Sequence, residues 1–270
     1  MWLFGATLFL TIKNLLKSFF VFMGASVNPM HQFELTDVVH IEAFGLNFSL
    51  TNGSIVLGAV VLIGLALGVC LKHCNKLIPN RRQSALEWSL LTIRNIVAGS
   101  LGEVGKKYVP FVFSIFAFVL LLNLIGLIPG TFAQTSHISI TFTLAMMIFL
   151  VCVFATIAKK GFGFFKIFLP EGTPLWMAPL MFVLEFFSYL VRPVSLSVRL
   201  AANMIAGHVM LDVIAFFVIT LGSVMFALGL LPFAFLVVLM AFEVFVAFLQ
   251  AYIFSIFACV YINEAAHGGH

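Results

Sequence analysis

From Pro174 to Ile262 the chain is almost continuously apolar, yet six ionisable side chains are set inside that stretch: Glu185, Arg192, Arg199, His208, Asp212 and Glu243. A run of that length needs either hydrocarbon around it or a very large protein core. The rest of the chain cannot supply such a core. Of its 270 residues, 63% are hydrophobic and 9% charged, against about 25% charged in a typical soluble domain. Ten acids and fourteen bases cannot cover a water-facing surface. The solvent is therefore lipid, and a water-soluble enzyme is excluded.

The best break in the long stretch is Gly229-Leu-Leu-Pro232. It leaves two helices of about 45–75 Å at 1.5 Å per residue, against a hydrocarbon core of about 30 Å. The longer one must tilt strongly, bend or lie in the membrane plane. Upstream, Ser54–Leu71, Val109–Ala133 and Ile138–Ala158 read as spans, and Ser84–Leu101 as a helix on the membrane surface. Residues 1–27 are apolar but carry Lys13/Lys17 and Asn14/Ser18 at i, i+4, one polar stripe on an interfacial helix. Their basic residues follow the apolar run, the wrong order for a signal peptide; a processed leader is the alternative. Residues 28–53 read as an acidic surface segment with turns. The fold class is thus an all-α membrane protein: five membrane-embedded helices plus surface amphipathic helices, the last two long, strongly tilted or horizontal and paired as a hairpin. Residues 1–30 are an N-terminal extension and 31–270 a single membrane domain.

Charge placement sets orientation. The 72–107 and 159–166 stretches hold ten of the fourteen Lys and Arg, while 28–53, 130–137 and 229–232 hold none. The acidic segment then faces outward, and the basic loops face the cytoplasm or matrix. There is no basic stripe with interleaved aromatics, so nucleic acid is not an expected partner. Cys70, His73 and Cys74 lack a fourth nearby ligand and read as ordinary residues at a helix end. No metal and no cofactor is expected.

A charge at mid-bilayer costs at least about 2.5–3.5 kcal/mol, and the default reading of such residues is an ion path. Structural pairs gluing helices together are the alternative. Glu185, Arg192 and Arg199 are spaced by seven and share nearly one helix face, with Ser188, Ser195 and Asn203 close to the stripe. Asp212 is i+4 from His208 and placed to orient its ring, and Gln250 is i+7 from Glu243. In an antiparallel hairpin Glu243 meets the His208 region and Gln250 approaches Arg199. Arginine is never deprotonated in a protein. It is a fixed positive barrier between two titratable stretches, so a proton crosses only on a carrier that moves past it. The chain offers no obvious carrier of its own.

The string Pro193-Val-Ser-Leu-Ser-Val-Arg-Leu-Ala-Ala-Asn-Met-Ile-Ala-Gly-His208 resembles subunit a of F-type ATP synthases. The runs Leu249-Gln-Ala-Tyr-Ile-Phe254 and Asn123-Leu-Ile-Gly-Leu-Ile-Pro129 are similar to the same family, from about Gln32 to the C-terminus. The resemblance implies that Arg199 faces carboxylates of a rotating c-ring, with Asn203 and Gln250 as its polar neighbours. It implies that His208 and Glu243 line the outer half-channel and Glu185 the one leading to matrix or cytoplasm. Arg192 matches a basic position of less defined role, and Asp212 no general position of the family. The implied function is that of a non-catalytic, proton-conducting stator subunit, coupling proton-motive force to ATP synthesis. Its implied partners are the c-ring, the peripheral stalk and other membrane subunits of the complex, lipids such as cardiolipin, and the translocated protons. The His/Glu arrangement resembles mitochondrial and alphaproteobacterial members, which implies the mitochondrial inner membrane or, alternatively, a bacterial plasma membrane. Nucleotide chemistry is expected in partner chains, because Gly102-Glu-Val-Gly105-Lys-Lys107 lacks the Walker spacing and its Ser/Thr. A self-contained proton-coupled transporter is the competing reading; it needs an inverted repeat and a midplane substrate site, and neither is visible.

Overall fold

The structure, a computed structural model, describes residues 37–39, 42–43, 46–47, 50–73, 81–128, 131, 133–161, 168–169, 176–224 and 226–267. The readings of residues 1–30 and of Cys74 lie outside them. Among the described residues the helices are α1 (Asn52–His73), α2 (Arg81–Leu101), α3 (Val109–Gly126), α4 (Ile138–Lys160), α5 (Ala178–Val224) and α6 (Phe226–His267). Four short strands precede them: β1 (Asp37–Val39), β2 (Glu42–Ala43), β3 (Leu46–Asn47) and β4 (Leu50–Thr51). β1 pairs antiparallel with β4, and β2 with β3. The acidic segment is thus extended and paired where the sequence suggests only turns.

The helix boundaries follow from local chemistry. Thr51 caps α1, its Oγ1 accepting the Ser54 amide at 3.4 Å while the Ser54 hydroxyl donates to the Thr51 carbonyl at 2.7 Å. α2 stops at Gly102, whose φ of 59° is the left-handed conformation that favours glycine. A 3₁₀ turn, Gly102–Tyr108, then leads into α3. It packs so closely on α2 that a Cβ at Gly105 would lie 2.7 Å from the Leu101 Cβ. α3 ends at Gly126, short of the expected Ala133. There the chain folds into turns, with the Thr131 hydroxyl donating to the Ile125 carbonyl at 2.6 Å, and a 3₁₀ turn at Gln134–Ser136.

Among the described residues, four helical stretches are long and apolar enough to cross a membrane: Gly105–Gly126, Ile138–Ala158, Ala178–Gly222 and Gly229–Glu264. With α1, apolar from Asn52 to Ala66, they make the five apolar helices expected from the sequence. α5 has 47 residues and α6 has 42, so each is about twice as long as the roughly 30 Å hydrocarbon core is thick. The break between them does not fall at Gly229–Pro232. α5 ends at Val224 and α6 starts at Phe226, with Pro193 and Pro232 inside helices. Gly229 serves close packing instead: a Cβ there would sit 2.8 Å from the Gly222 Cα and 3.4 Å from the Val218 carbonyl.

The chain forms two compact units. One comprises residues up to Leu57, Asn123–Ser136 and Ala202–Ala247. It is centred on a small apolar cluster of Leu211, Ala215, Val218 and Leu236. The other comprises Gly58–Leu122, His137–Ala201 and the chain from Phe248 onward. Its core is larger. Ile93, Val97 and Leu101, at i, i+4 spacing on α2, pack with α3 residues such as Val112 and Val119 and with Phe254 of α6. That stripe makes α2 the amphipathic helix expected, with Trp88 exposed on its other side. Phe149, Phe168, Tyr189 and Tyr261 add a set of edge-to-face and tilted ring contacts. Side chains such as Trp176 and Leu231 are 79% and 81% exposed. Apolar exposure on this scale suits lipid, not water.

Candidate functional site

The ionisable residues of the long helices fall into one group in each unit. In the larger unit, α5 carries Glu185, Arg192 and Arg199 at the spacing of seven. Arg192 Nη1 donates to Glu264 Oε1 at 2.6 Å, and Arg192 Nη2 lies 3.7 Å from Glu185 Oε1. Its guanidinium also lies 5.7 Å from the centre of the Tyr189 ring. Arg192 is therefore held by two carboxylates and an aromatic face, the arrangement that makes a charge tolerable in an apolar setting. Arg199, two turns further along α5, is different. It is exposed, as is Ser195 one turn before it, and among the described residues it has no hydrogen bond or ion pair. Gln250 of α6 is 2% exposed, and its Nε2 has no protein hydrogen-bond partner. No hydrogen bond joins it to Arg199.

In the smaller unit, the Glu243 carboxylate of α6 lies against Gly207 of α5, in the place that a Cβ on residue 207 would take. The hairpin thus brings Glu243 to the residue preceding His208. His208 is 7% exposed and hydrogen-bonds the backbone of Gly126. Gly126 itself sits against Ala133 and the Thr135 hydroxyl. Asp212, half-buried one turn beyond His208, makes no hydrogen bond or ion pair among the described residues, so it does not orient the His208 ring. Asn203 is half-buried on the same helix.

Further polar groups collect in this unit that the sequence did not single out as site residues. Asn123 is fully buried, its Nδ2 donating to the Ala247 carbonyl at 3.4 Å. The side chain of Gln134 donates to the Gly53 carbonyl. Asn123 Oδ1, Gln134 Oε1, Thr135 Oγ1 and Asp212 Oδ2 are buried without a protein hydrogen-bond partner. Buried polar atoms are nearly always satisfied by protein or by ordered water, so each of these four oxygens is suited to holding a water. Glu264 was missed because it stands just beyond the apolar run. Its signal is present nonetheless: Glu243, Gln250 and Glu264 fall on one heptad spacing of α6.

The fold and these two groups define a multi-pass membrane protein that carries titratable side chains within its apolar helices. The family model of the ATP synthase A chain matches residues 53–263. The chain belongs to the ATP synthase A chain family, whose members are proton-translocating subunits of the membrane part of ATP synthase. It is thereby a stator subunit within a membrane sector that includes the c-ring and other subunits.

Proposed function

We propose that the chain provides two offset proton half-channels kept apart by Arg199, which faces the carboxylates of the c-ring. The observation that carries this reading is the contrast between the two arginines. Arg192 is closed off by Glu185 and Glu264, whereas Arg199 stands exposed on an apolar helix with no partner among the described residues. An uncompensated guanidinium within a membrane helix is expensive. A carboxylate from another chain would offset that cost, and an arginine cannot itself carry the proton away.

In this reading protons enter from the outer side through the polar group of the smaller unit. Water held by Asn123, Gln134, Thr135 and Asp212 passes them to His208 and Glu243. A ring carboxylate takes the proton, becomes neutral and moves through lipid. On the other side it gives the proton up to a path lined by Glu185 and Glu264, with Arg192 holding the two acids in place. Asn203, Gln250 and Ser195 are polar neighbours of Arg199, shaping the approach of the ring. Each proton falling through 100 mV releases about 2.3 kcal/mol, and the half-channels make ring rotation its only route. The membrane is the mitochondrial inner membrane in our reading, with lipids such as cardiolipin around the chain; residues 31–270 act as one membrane domain.

A photoactivatable amino acid placed at Val198, beside Arg199 and itself exposed, tests the arrangement in the assembled complex. The expected product is a crosslink to the c-ring. Crosslinks to lipid or to a static subunit alone would refute it.

A further inference from the structure

A second site lies far from the ionisable helices in sequence. Within the larger unit, α1, α2 and α3 enclose a groove of about 750 Å³. Val61, Gly64 and Gly68 of α1 line one wall, and Phe113 and Ala117 of α3 the other. Two cations, Arg94 of α2 and Lys106 of the turn before α3, also line it, and both are exposed. The remainder of the lining is almost wholly apolar.

Both cations belong to the basic stretch between α1 and α3. α1 runs into the basic stretch that begins at Lys72, and α3 runs out of it after Lys107. The groove therefore begins at the basic side, near Gly68 and Lys106, and runs towards Val60 and Phe118. Gly105 presses the 3₁₀ turn onto α2 through Val97 and Leu101, which sets Lys106 on the same groove as Arg94. Gly64 and Gly68 keep it open: a Cβ at either would meet nothing within 4 Å.

We infer that this groove binds an anionic phospholipid, one acyl region lying between α1 and α3 and the phosphate meeting Arg94 and Lys106. Basic pockets beside membrane helices on the cytoplasmic or matrix side are suited to such headgroups, and an arginine fork pairs with phosphate oxygens in two-pronged fashion. Charge favours the lipid over the other plausible occupant, a helix of a partner subunit packing on the Gly64-x-x-x-Gly68 pair. Arg94 and Lys106 line the same groove as its apolar wall, which suits an anionic headgroup on acyl chains, whereas an apolar helix would bring no counter-charge to either cation.

The test uses the intact synthase complex in phosphatidylcholine vesicles doped with phosphatidylglycerol that bears a photoactivatable group in its acyl chain. Label is expected on α1 near Gly64 and on α3 near Phe113. Neutralising both cations, Arg94→Ala with Lys106→Ala, should lower it roughly 30-fold, at about 1 kcal/mol per basic residue near the membrane surface. Arg94→Lys should keep most of it. Gly64→Leu, which fills the groove and leaves the charges alone, should remove it and covers the case in which the double variant does not assemble. Equal labelling by photoactivatable phosphatidylcholine, or unchanged labelling in both the double variant and Gly64→Leu, would overturn the proposal. So would a crosslink from Gly68→Cys to a helix of another subunit, which would show the groove filled by protein.

Discussion

Gly207 matters for the atoms it lacks. The Glu243 carboxylate occupies the position that a side chain at residue 207 would fill, so the smallest residue is what lets the acid lie against this turn of α5. Gly207→Ala should displace the carboxylate and lower ATP-driven proton pumping about tenfold, the equivalent of 1–2 kcal/mol of overpacking. Glu243→Asp in the same chain, one methylene shorter, should recover part of the loss. Pumping at the normal rate in Gly207→Ala would show that the close approach has no role. The sequence made this corner legible only in part. Helical spacing put Glu185 and Arg192 on one face and a hairpin brought Glu243 to the turn of α5 at Gly207, because both inferences need only local geometry. Helical spacing does not reveal that, among the described residues, Arg192 is paired and Arg199 is not. The feature that separates them is Glu264, which reaches Arg192 from α6, and a tertiary partner leaves little trace in the spacing of one helix.

At the scale of elements, the same limit explains the misplaced break between α5 and α6. Gly and Pro are the usual punctuation of a helix, and Gly229 with Pro232 read as a stop. In the structure both are inside α6. Gly229 instead meets Gly222 across the hairpin, where a Cβ would come within 2.8 Å of backbone. Gly229→Leu should therefore destabilise the hairpin by about 1–3 kcal/mol, seen as a lower thermal midpoint and lower yield of purified complex. A variant indistinguishable from the native chain in both would count against close packing at this point. The helix α2 and its apolar stripe were legible because that stripe is full, and the buried faces of Ile93, Val97 and Leu101 follow it. The paired strands between Asp37 and Thr51 were not foreseen, since segments of two or three residues are too short to show alternation.

For the whole molecule, the positive-inside count and the helix order give one topology. Three membrane helices, α1, α3 and α4, separate Asp37 from Gly161, so these positions should lie on opposite sides. With cysteine introduced at each, a membrane-impermeant thiol reagent applied from outside should modify Asp37→Cys and leave Gly161→Cys untouched; modification of both from one face would break the five-helix arrangement. Length and composition alone made the membrane class legible, because nothing but lipid can surround so apolar a chain. Division of the proton path was legible only as chemistry: an arginine that cannot release its proton, placed between titratable stretches. That division is tested most directly by ATP-driven proton pumping in purified, reconstituted complex carrying Arg199→Ala. The account predicts that pumping is abolished, and that Arg199→Lys does not restore it fully because a lysine in an apolar setting can lose its proton. Pumping at the normal rate with Arg199→Ala would contradict it.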